Sequence, residues 1–160
     1  MFYRASPFTS VLLAGTLAAG CQSSIDVKQS VQVSDVTTGW FDAGVVDGRN
    51  KLVPSVSFRL RNTSDREIDA VSINLVFEFV DTGEDQEEIF KQRIPFANKQ
   101  TELITFRSQT GFTGDPPQSR ADMLKHSGFR DITAVIFARQ AGAQWVELHR
   151  VPVERQLLTQ

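Results

Sequence analysis

The chain of 160 residues has one cysteine and two histidines, and this scarcity narrows its possible chemistry. With Cys21 alone, no intramolecular disulfide can form. His126 and His149 form no HExxH motif and no pair at helical spacing, which argues against a histidine-rich metal site. No GxSxG, P-loop or dinucleotide fingerprint occurs, since Gly111 and Gly114 belong to a loop rather than a phosphate cradle. Nothing in the sequence supports an enzyme or a bound cofactor.

An excess of charge of either sign is also missing. The chain has 17 basic and 19 acidic residues, scattered along its length. A protein that binds nucleic acid usually carries a basic patch, so no nucleic-acid partner is expected. Internal repeats, coiled-coil heptads and low-complexity linkers are absent. Residues 25–160 are enough for one domain with its own core.

The first twenty residues have the composition of a targeting segment. Arg4 supplies a positive start, and residues 8–19 are mostly apolar and small. This run is long enough for the hydrophobic region of a signal peptide and too short to span a bilayer. The segment ends in Leu17-Ala18-Ala19-Gly20-Cys21.

That ending resembles the bacterial lipobox, in which the cysteine thiol is alkylated with diacylglycerol before the signal peptide is cleaved. The resemblance implies a lipoprotein signal peptide over 1–20, lipid attachment at Cys21 and a short tether over 21–24. Two or more acyl chains, such as palmitate, hold a protein stably at a bilayer. Gln22 after the cysteine implies delivery to the periplasmic face of the outer membrane. The alternative is an incidental cysteine behind a plain secretory signal.

Alternating apolar residues dominate the stretch from Val53 to Asp81. Val56, Phe58 and Leu60 are apolar and their neighbours are polar. A second run alternates at Val71, Ile73, Leu75, Phe77 and Phe79. Period two indicates strands with one buried face, because a helix would need apolar spacings of three and four. Polar residues 62–65 favour a turn, so the two runs are predicted to form a β-hairpin.

Other segments show the same period. Strands are predicted at 25–36, 40–41, 87–94, 101–107, 131–139 and 144–151. Residues 47–50 form a strong turn signal, and residues 141–143 join the last two strands into a hairpin. The sequence therefore predicts an all-β fold, an immunoglobulin-like β-sandwich of about seven antiparallel strands.

Residues 108–129 interrupt this pattern with a long connection. Ser119 followed by Asp122 predicts a short capped helix over 119–126. In one interpretation the connection is a packed crossover whose Phe112, Met123 and Leu124 cover one end of the core. In the other it is a partner-contacting tip, because long loops often carry function. The tip would consist of Gly111, Phe112, Gly114, Pro116 and Pro117.

The end of the second alternating run is similar to the FxLYD type of small bacterial immunoglobulin-like domain. Phe77 and Asp81 match that motif, with Phe79 in place of Leu and Val80 in place of Tyr. The similarity covers about residues 52–108. It implies a domain of the kind attached to lipoproteins and other envelope proteins, mostly without an assigned activity.

Two further groups of residues are candidate metal ligands, and each also has an interpretation without a metal. Four carboxylates lie close together in the sequence: Glu84, Asp85, Glu87 and Glu88. They could offer oxygen ligands to a hard cation, but a solvated charged turn fits the same residues. His149 is expected to face solvent rather than bind a metal.

Two functions are compatible with the sequence. The first is a non-catalytic, lipid-anchored envelope lipoprotein that binds another envelope protein through an edge strand or residues 109–118. The second is a ligand- or carbohydrate-binding module of the periplasm in which Trp40, Phe41 and Trp145 stack on sugar. Exposed Trp40 and Trp145 side chains would favour the second function, and buried ones would favour the first. We expect both to be buried, which would remove the stacking surface.

Overall fold

The computed structural model describes residues 25–116 and 118–158. The predicted signal peptide, Cys21, the tether and Pro117 lie outside the described residues. The elements are α1 (Val27–Ser30), β1 (Val31–Val46), β2 (Arg49–Asn62), β3 (Ala70–Phe79), β4 (Asp85–Pro95), β5 (Ile104–Arg107), β6 (Phe112–Gly114), α2 (Arg120–Lys125), β7 (Ile132–Arg139) and β8 (Val146–Pro152). Neither helix of this described part is long and apolar enough to cross a membrane.

The strands form two four-stranded antiparallel sheets. In the first sheet β2 lies between β1 and β5, and β6 pairs with another part of β2. The second sheet has the order β4-β3-β7-β8. The two sheets pack into an all-β sandwich, which confirms the predicted fold class. The strand count exceeds the predicted seven because the short β6 forms within the long connection.

The core lies between the sheets and is built from the alternating residues. Val56, Phe58 and Leu60 of β2 are fully buried, as the period-two pattern predicts. The inward side chains of β3 that are also buried are Val71, Ile73, Leu75 and Phe77. Phe58 and Phe106 stack with ring centroids 6.0 Å apart, joining β2 to β5. Burying side chains of this size supplies most of the stabilisation of such a domain.

The predicted hairpin between β2 and β3 is wrong. The two strands belong to opposite sheets, and the connection over 63–69 crosses from one to the other. The Asn62 side chain stabilises the crossing. Its Nδ2 donates to the Arg66 carbonyl at 2.7 Å, and its Oδ1 accepts from the Ser64 backbone amide at 2.9 Å. Ile68 is buried along the way. Alternation identifies a strand with one buried face, but strands that face each other across a core alternate in the same way.

The beginning of the domain also differs from the prediction. Residues expected to open the first strand form α1, because the Asp26 side chain accepts from the Lys28 and Gln29 amides at 3.0 and 3.3 Å. β1 then runs on through residues 40–41, which are not a separate strand. The predicted turn is confirmed: Asp47 and Gly48 both have positive φ, as a two-residue hairpin turn requires. The hairpin of β7 and β8 is confirmed as well.

The C-terminal segment over 153–158 covers the outer edge of β1. The Trp40 amide donates to the Gln156 carbonyl at 2.8 Å, and the Leu158 amide donates to the Trp40 carbonyl at 2.9 Å. Gly39 makes room for this contact, since a Cβ there would lie 2.8 Å from the Leu158 side chain. An edge strand with unpaired backbone groups invites aggregation, so this cover protects the sandwich.

The opposite side of the sandwich is protected by a charged side chain. Lys91 of the edge strand β4 reaches across to the first sheet, where its ammonium donates to the Thr105 carbonyl at 2.6 Å. The same ammonium lies 4.6 Å from the centre of the Phe106 ring. A lysine turned toward the core of an edge strand opposes pairing with a second chain.

Candidate functional site

The long connection lies at the end of the sandwich farthest from the start of the domain. Val31 pairs with Asn62 at one end of the β1–β2 ladder, and Val46 pairs with Arg49 at the other. We call these ends the proximal and distal poles. β6 pairs with Asn50 to Leu52, so it belongs to the distal pole. At about 3.3 Å per residue, the 14 residues of β2 separate the poles by roughly 45 Å.

Three aromatic rings close the core at the distal pole. The Phe112 ring lies 5.5 Å from Trp40 and 4.5 Å from Phe129, and Trp40 lies 4.5 Å from Phe129. Trp40 is fully buried, whereas Phe112 is half-buried. Met123 and Leu124 of α2 are buried beside this cluster. The connection is thus the packed crossover of the first interpretation, but Phe112 still reaches the surface and its role as a partner contact stays a prediction.

Close packing explains the two glycines of the predicted tip. A Cβ on Gly111 would lie 2.0 Å from the Leu52 carbonyl oxygen, a backbone atom of β2. A Cβ on Gly114 would lie 2.8 Å from the Met123 side chain. Pro116 is exposed in the turn that follows. The sequence identified these positions but not the neighbours that require glycine.

A pocket of about 260 Å³ opens between β6, α2 and the turn before β7. We call it the distal pocket. Phe112, Met123 and Phe129 contribute apolar lining. Arg49 and Asp115 also line it and form an ion pair at 2.7 Å. Small-molecule sites usually measure about 300–1,000 Å³, so this pocket suits a single inserted side chain better than a whole ligand.

Arg155 holds α2 and the pocket wall in place. Its guanidinium bonds to Asp131 at 2.7 Å, and it donates to the carbonyls of Leu124 and Phe129 at 3.1 and 3.0 Å. The hydrogen bond with Asp131 raises the pKa of Arg155, so the side chain stays charged. No local sequence pattern indicates this role of Arg155, because its partners lie 24 to 31 residues away along the chain.

The four clustered carboxylates do not converge on a cation site. Glu88 accepts from the Asn74 amide on the outer face of the second sheet. Glu87 lies on the other side, where it accepts from the Ser108 hydroxyl and from the amides of Gln109 and Thr110 at 2.9 and 3.0 Å. Within the part of the chain that the structure describes, no three acidic, histidine or cysteine residues are placed to hold a metal ion.

Glu87 instead ties the second sheet to the chain that follows β5. Partial burial raises its pKa, but hydrogen bonds from the Ser108 hydroxyl and the Thr110 and Gln109 amides outweigh burial and lower it below the usual range. The ionised form is therefore favoured by folding. This contribution to stability is present above the pKa of the unfolded chain and is lost as the pH falls through the lower folded pKa.

Replacing Glu87 with glutamine should lower the free energy of unfolding by about 1.5–3 kcal/mol at pH 7, because charge-assisted hydrogen bonds are lost. It should also flatten the acid side of the stability profile. Urea unfolding between pH 3 and pH 7 measures both effects. Glu102→Gln is the control, since that side chain is 97 % exposed. Equal acid sensitivity of the wild type and Glu87→Gln would contradict the role of Glu87 in tying the second sheet to the chain that follows β5.

The residues proposed for sugar stacking are not assembled into one platform. Trp40 is buried in the core, and the Arg107 guanidinium covers the Phe41 ring at 3.7 Å. Trp145 is half-buried and lies on the second sheet, so the expectation of two buried tryptophans is right for Trp40 and wrong for Trp145. His149 is exposed on β8, as predicted.

The residues of the FxLYD-like stretch have structural positions. Phe77 is fully buried in β3. Asp81 follows the strand and receives two hydrogen bonds from the Arg130 guanidinium, at 2.6 and 3.0 Å, which lower the pKa of Asp81. The same guanidinium lies 3.6 Å above the Phe79 ring. No protein-family model, curated protein or solved structure matches this chain. The resemblance to the FxLYD type therefore stays a prediction.

Proposed function

We propose that this protein is a non-catalytic, lipid-anchored lipoprotein of the cell envelope that binds another envelope protein at its distal pole. The proposal rests on the lipobox-like sequence ending at Cys21 and on the distal pocket, in which aromatic and polar side chains lie beside the Arg49–Asp115 ion pair. The observation that carries it is the position of that pocket, at the pole opposite the start of the described chain.

A lipid anchor at Cys21 would determine which pole of the domain faces the membrane. Ile25 is four residues after Cys21, and an extended chain of that length spans at most about 14 Å. The proximal pole would therefore lie next to the bilayer. The distal pocket would then point away from the membrane, roughly 45 Å beyond the proximal pole. A partner in the periplasm would meet this pole first.

Three apolar side chains are exposed at the distal pole. Val45 and Val46 in the β1–β2 hairpin are 63 % and 40 % exposed, and Val80 after β3 is 59 % exposed. Interfaces combine an apolar centre with a polar rim, and a side chain inserted into a pocket often dominates their energy. The distal pocket provides the receptor for such a side chain, and the Arg49–Asp115 pair provides the rim.

Site-specific photo-crosslinking in the native cell tests this proposal. A crosslinking residue at Thr113, which is exposed and lines the distal pocket, should yield one discrete adduct with an envelope protein. A crosslinker at Glu67, exposed near the proximal pole, should not yield that adduct.

Reversing one charge of the rim provides a matched pair of variants. Arg49→Glu should reduce the Thr113 adduct at least about fivefold, because it sets two carboxylates against each other at the rim. Lys28→Glu, on the exposed surface of α1, should leave the adduct unchanged. The proposal fails if Thr113 and Glu67 give the same products, or if the Arg49 variant crosslinks like the wild type.

A further inference from the structure

A second pocket lies on the other side of α2 from the distal pocket. It has a volume of about 510 Å³ and is formed by α2 and the C-terminal segment, so we call it the C-terminal pocket. Its lining residues are Ala121, Leu124, Lys125, Arg155, Gln156 and Leu157. None of them lines the distal pocket. The volume falls within the range of small-molecule sites, about 300–1,000 Å³.

Part of the lining of the C-terminal pocket is apolar and reachable from solvent. Ala121 is exposed and lies on the same face of α2 as the buried Leu124, three residues further on. The C-terminal segment contributes Leu157, which is 42 % exposed. The backbone on either side of Leu157 is hydrogen-bonded to Trp40, so this side chain is held at the pocket. A ligand that covers these apolar side chains removes them from water, which favours binding.

Both charged residues of this lining are cationic. The Arg155 guanidinium is already committed, because it pairs with Asp131 at 2.7 Å and donates to two backbone carbonyls. Lys125 is exposed at the end of α2, and its ammonium has no hydrogen-bond or ion-pair partner among the described residues. Asp122, one turn earlier on α2, accepts from the Ser119 hydroxyl instead. Lys125 therefore offers a free positive charge beside the apolar lining.

We infer that the C-terminal pocket binds a fatty-acid carboxylate, with the alkyl chain against Ala121 and Leu157 and the head group at the Lys125 ammonium. A carboxylate and an ammonium form an ion pair, and an alkyl chain gains free energy for each methylene removed from water. The two parts of such a molecule match the free cation and the exposed apolar side chains of the pocket. This ligand is separate from the envelope-protein partner proposed for the distal pocket, because the two pockets share no residue.

Other ligands match these residues less well. A cationic amphiphile would be repelled by Lys125, since none of the six lining residues is acidic. A sugar needs several hydrogen-bond partners, but the Gln156 side-chain nitrogen already donates to the Thr38 carbonyl at 2.8 Å. A peptide strand needs free backbone groups, and here the Gln156 carbonyl and the Leu158 amide are bonded to Trp40.

Calorimetric titration of the full chain with octanoate and decanoate, below their micelle concentrations, tests the inference. Both should bind saturably, and decanoate should bind about tenfold more tightly, the scale of two additional buried methylenes. Octylammonium has a similar chain with the opposite charge and should bind at least about fivefold more weakly than octanoate. Amide chemical shifts measured by NMR should change most at α2 and over 153–158.

Variants separate the head-group contact from the chain contact. Lys125→Gln should weaken decanoate binding about threefold to fivefold, the scale of an exposed ion pair, without weakening octylammonium binding. Lys28→Gln is the matched control, because Lys28 lies in the last turn of α1 at the proximal pole. Leu157→Ala should weaken binding of both ligands at least about threefold. Should Leu157→Ala unfold, Lys125→Gln still tests the site, since it changes only an exposed side chain.

Three results would overturn the inference. The first is the absence of saturable decanoate binding by the wild type. The second is a decanoate affinity of Lys125→Gln equal to that of the wild type or of Lys28→Gln, with folding verified by circular dichroism. The third is equal affinity for octanoate and octylammonium, which would show that the charge of Lys125 plays no part.

Discussion

Gly111→Ala is expected to lower the free energy of unfolding by at least about 2–3 kcal/mol, the upper range for overpacking. The added methyl would lie 2.0 Å from the Leu52 carbonyl oxygen and 2.8 Å from a Val53 methyl. A carbonyl within a strand ladder cannot move aside as a flexible side chain can. The connection would have to lift off β2, which separates Phe112 from the aromatic cluster. Urea unfolding followed by circular dichroism measures the loss.

The other glycines provide graded controls. At Gly142, in the turn between β7 and β8, a Cβ meets nothing within 4 Å, so Gly142→Ala should change stability by less than about 0.5 kcal/mol. Gly114→Ala should fall between the two, because the Met123 side chain can adjust. If Gly111→Ala were as stable as Gly142→Ala, the packing of the connection against β2 would be incorrect.

Ending the chain after Val153 is expected to destabilise the domain by about 3–5 kcal/mol, comparable with removing a large core side chain. The truncation uncovers the edge of β1 at Trp40 and removes the three anchoring contacts of Arg155. A domain of this size loses roughly 3–5 °C in melting temperature per kcal/mol, so the decrease should exceed about 10 °C. Differential scanning calorimetry measures it.

A pair of arginine variants separates the anchoring by Arg155 from general charge effects. Arg155→Met should cause a substantial part of the stability loss expected for the truncation, because the Leu124 and Phe129 carbonyls lose their hydrogen-bond donor. Arg49→Met is the control, since Arg49 pairs with Asp115 where the two side chains are 47 % and 75 % exposed. Exposed ion pairs contribute about 0–1 kcal/mol. A truncated chain that melts within about 2 °C of the full chain would contradict the edge-cover account.

The period-two pattern predicted most strands of the sandwich, because a strand between core and solvent alternates whatever its neighbour is. Phe58 and Phe77 are both inward and fully buried, as the pattern requires. Which strands are neighbours in a sheet was harder to predict. Residues 62–65 form a polar turn in both a hairpin and a crossing between sheets, and the choice depends on contacts such as the burial of Ile68.

At the candidate sites, too, contacts between residues distant in the sequence could not be predicted. The composition of residues 108–129 marked the connection as unusual, and Phe112 and Gly114 do line the distal pocket, whereas Gly111 packs against β2. No local signal could connect Glu87 with Ser108, or Arg155 with Leu124, because these contacts depend on how the sheets are joined. Trp145 is a similar case, since alternation along β8 does not predict that its ring meets Phe90 of β4.

The proposed function begins from the lipid anchor, so the modification state of Cys21 is its most direct test. Mass spectrometry of the mature protein from membranes of the native cell should identify Cys21 as the first residue, carrying diacylglycerol. Cys21→Ser should abolish both the modification and the membrane fractionation. A mature protein that begins at another residue, or a free Cys21 thiol on protein that still fractionates with membranes, would contradict the account.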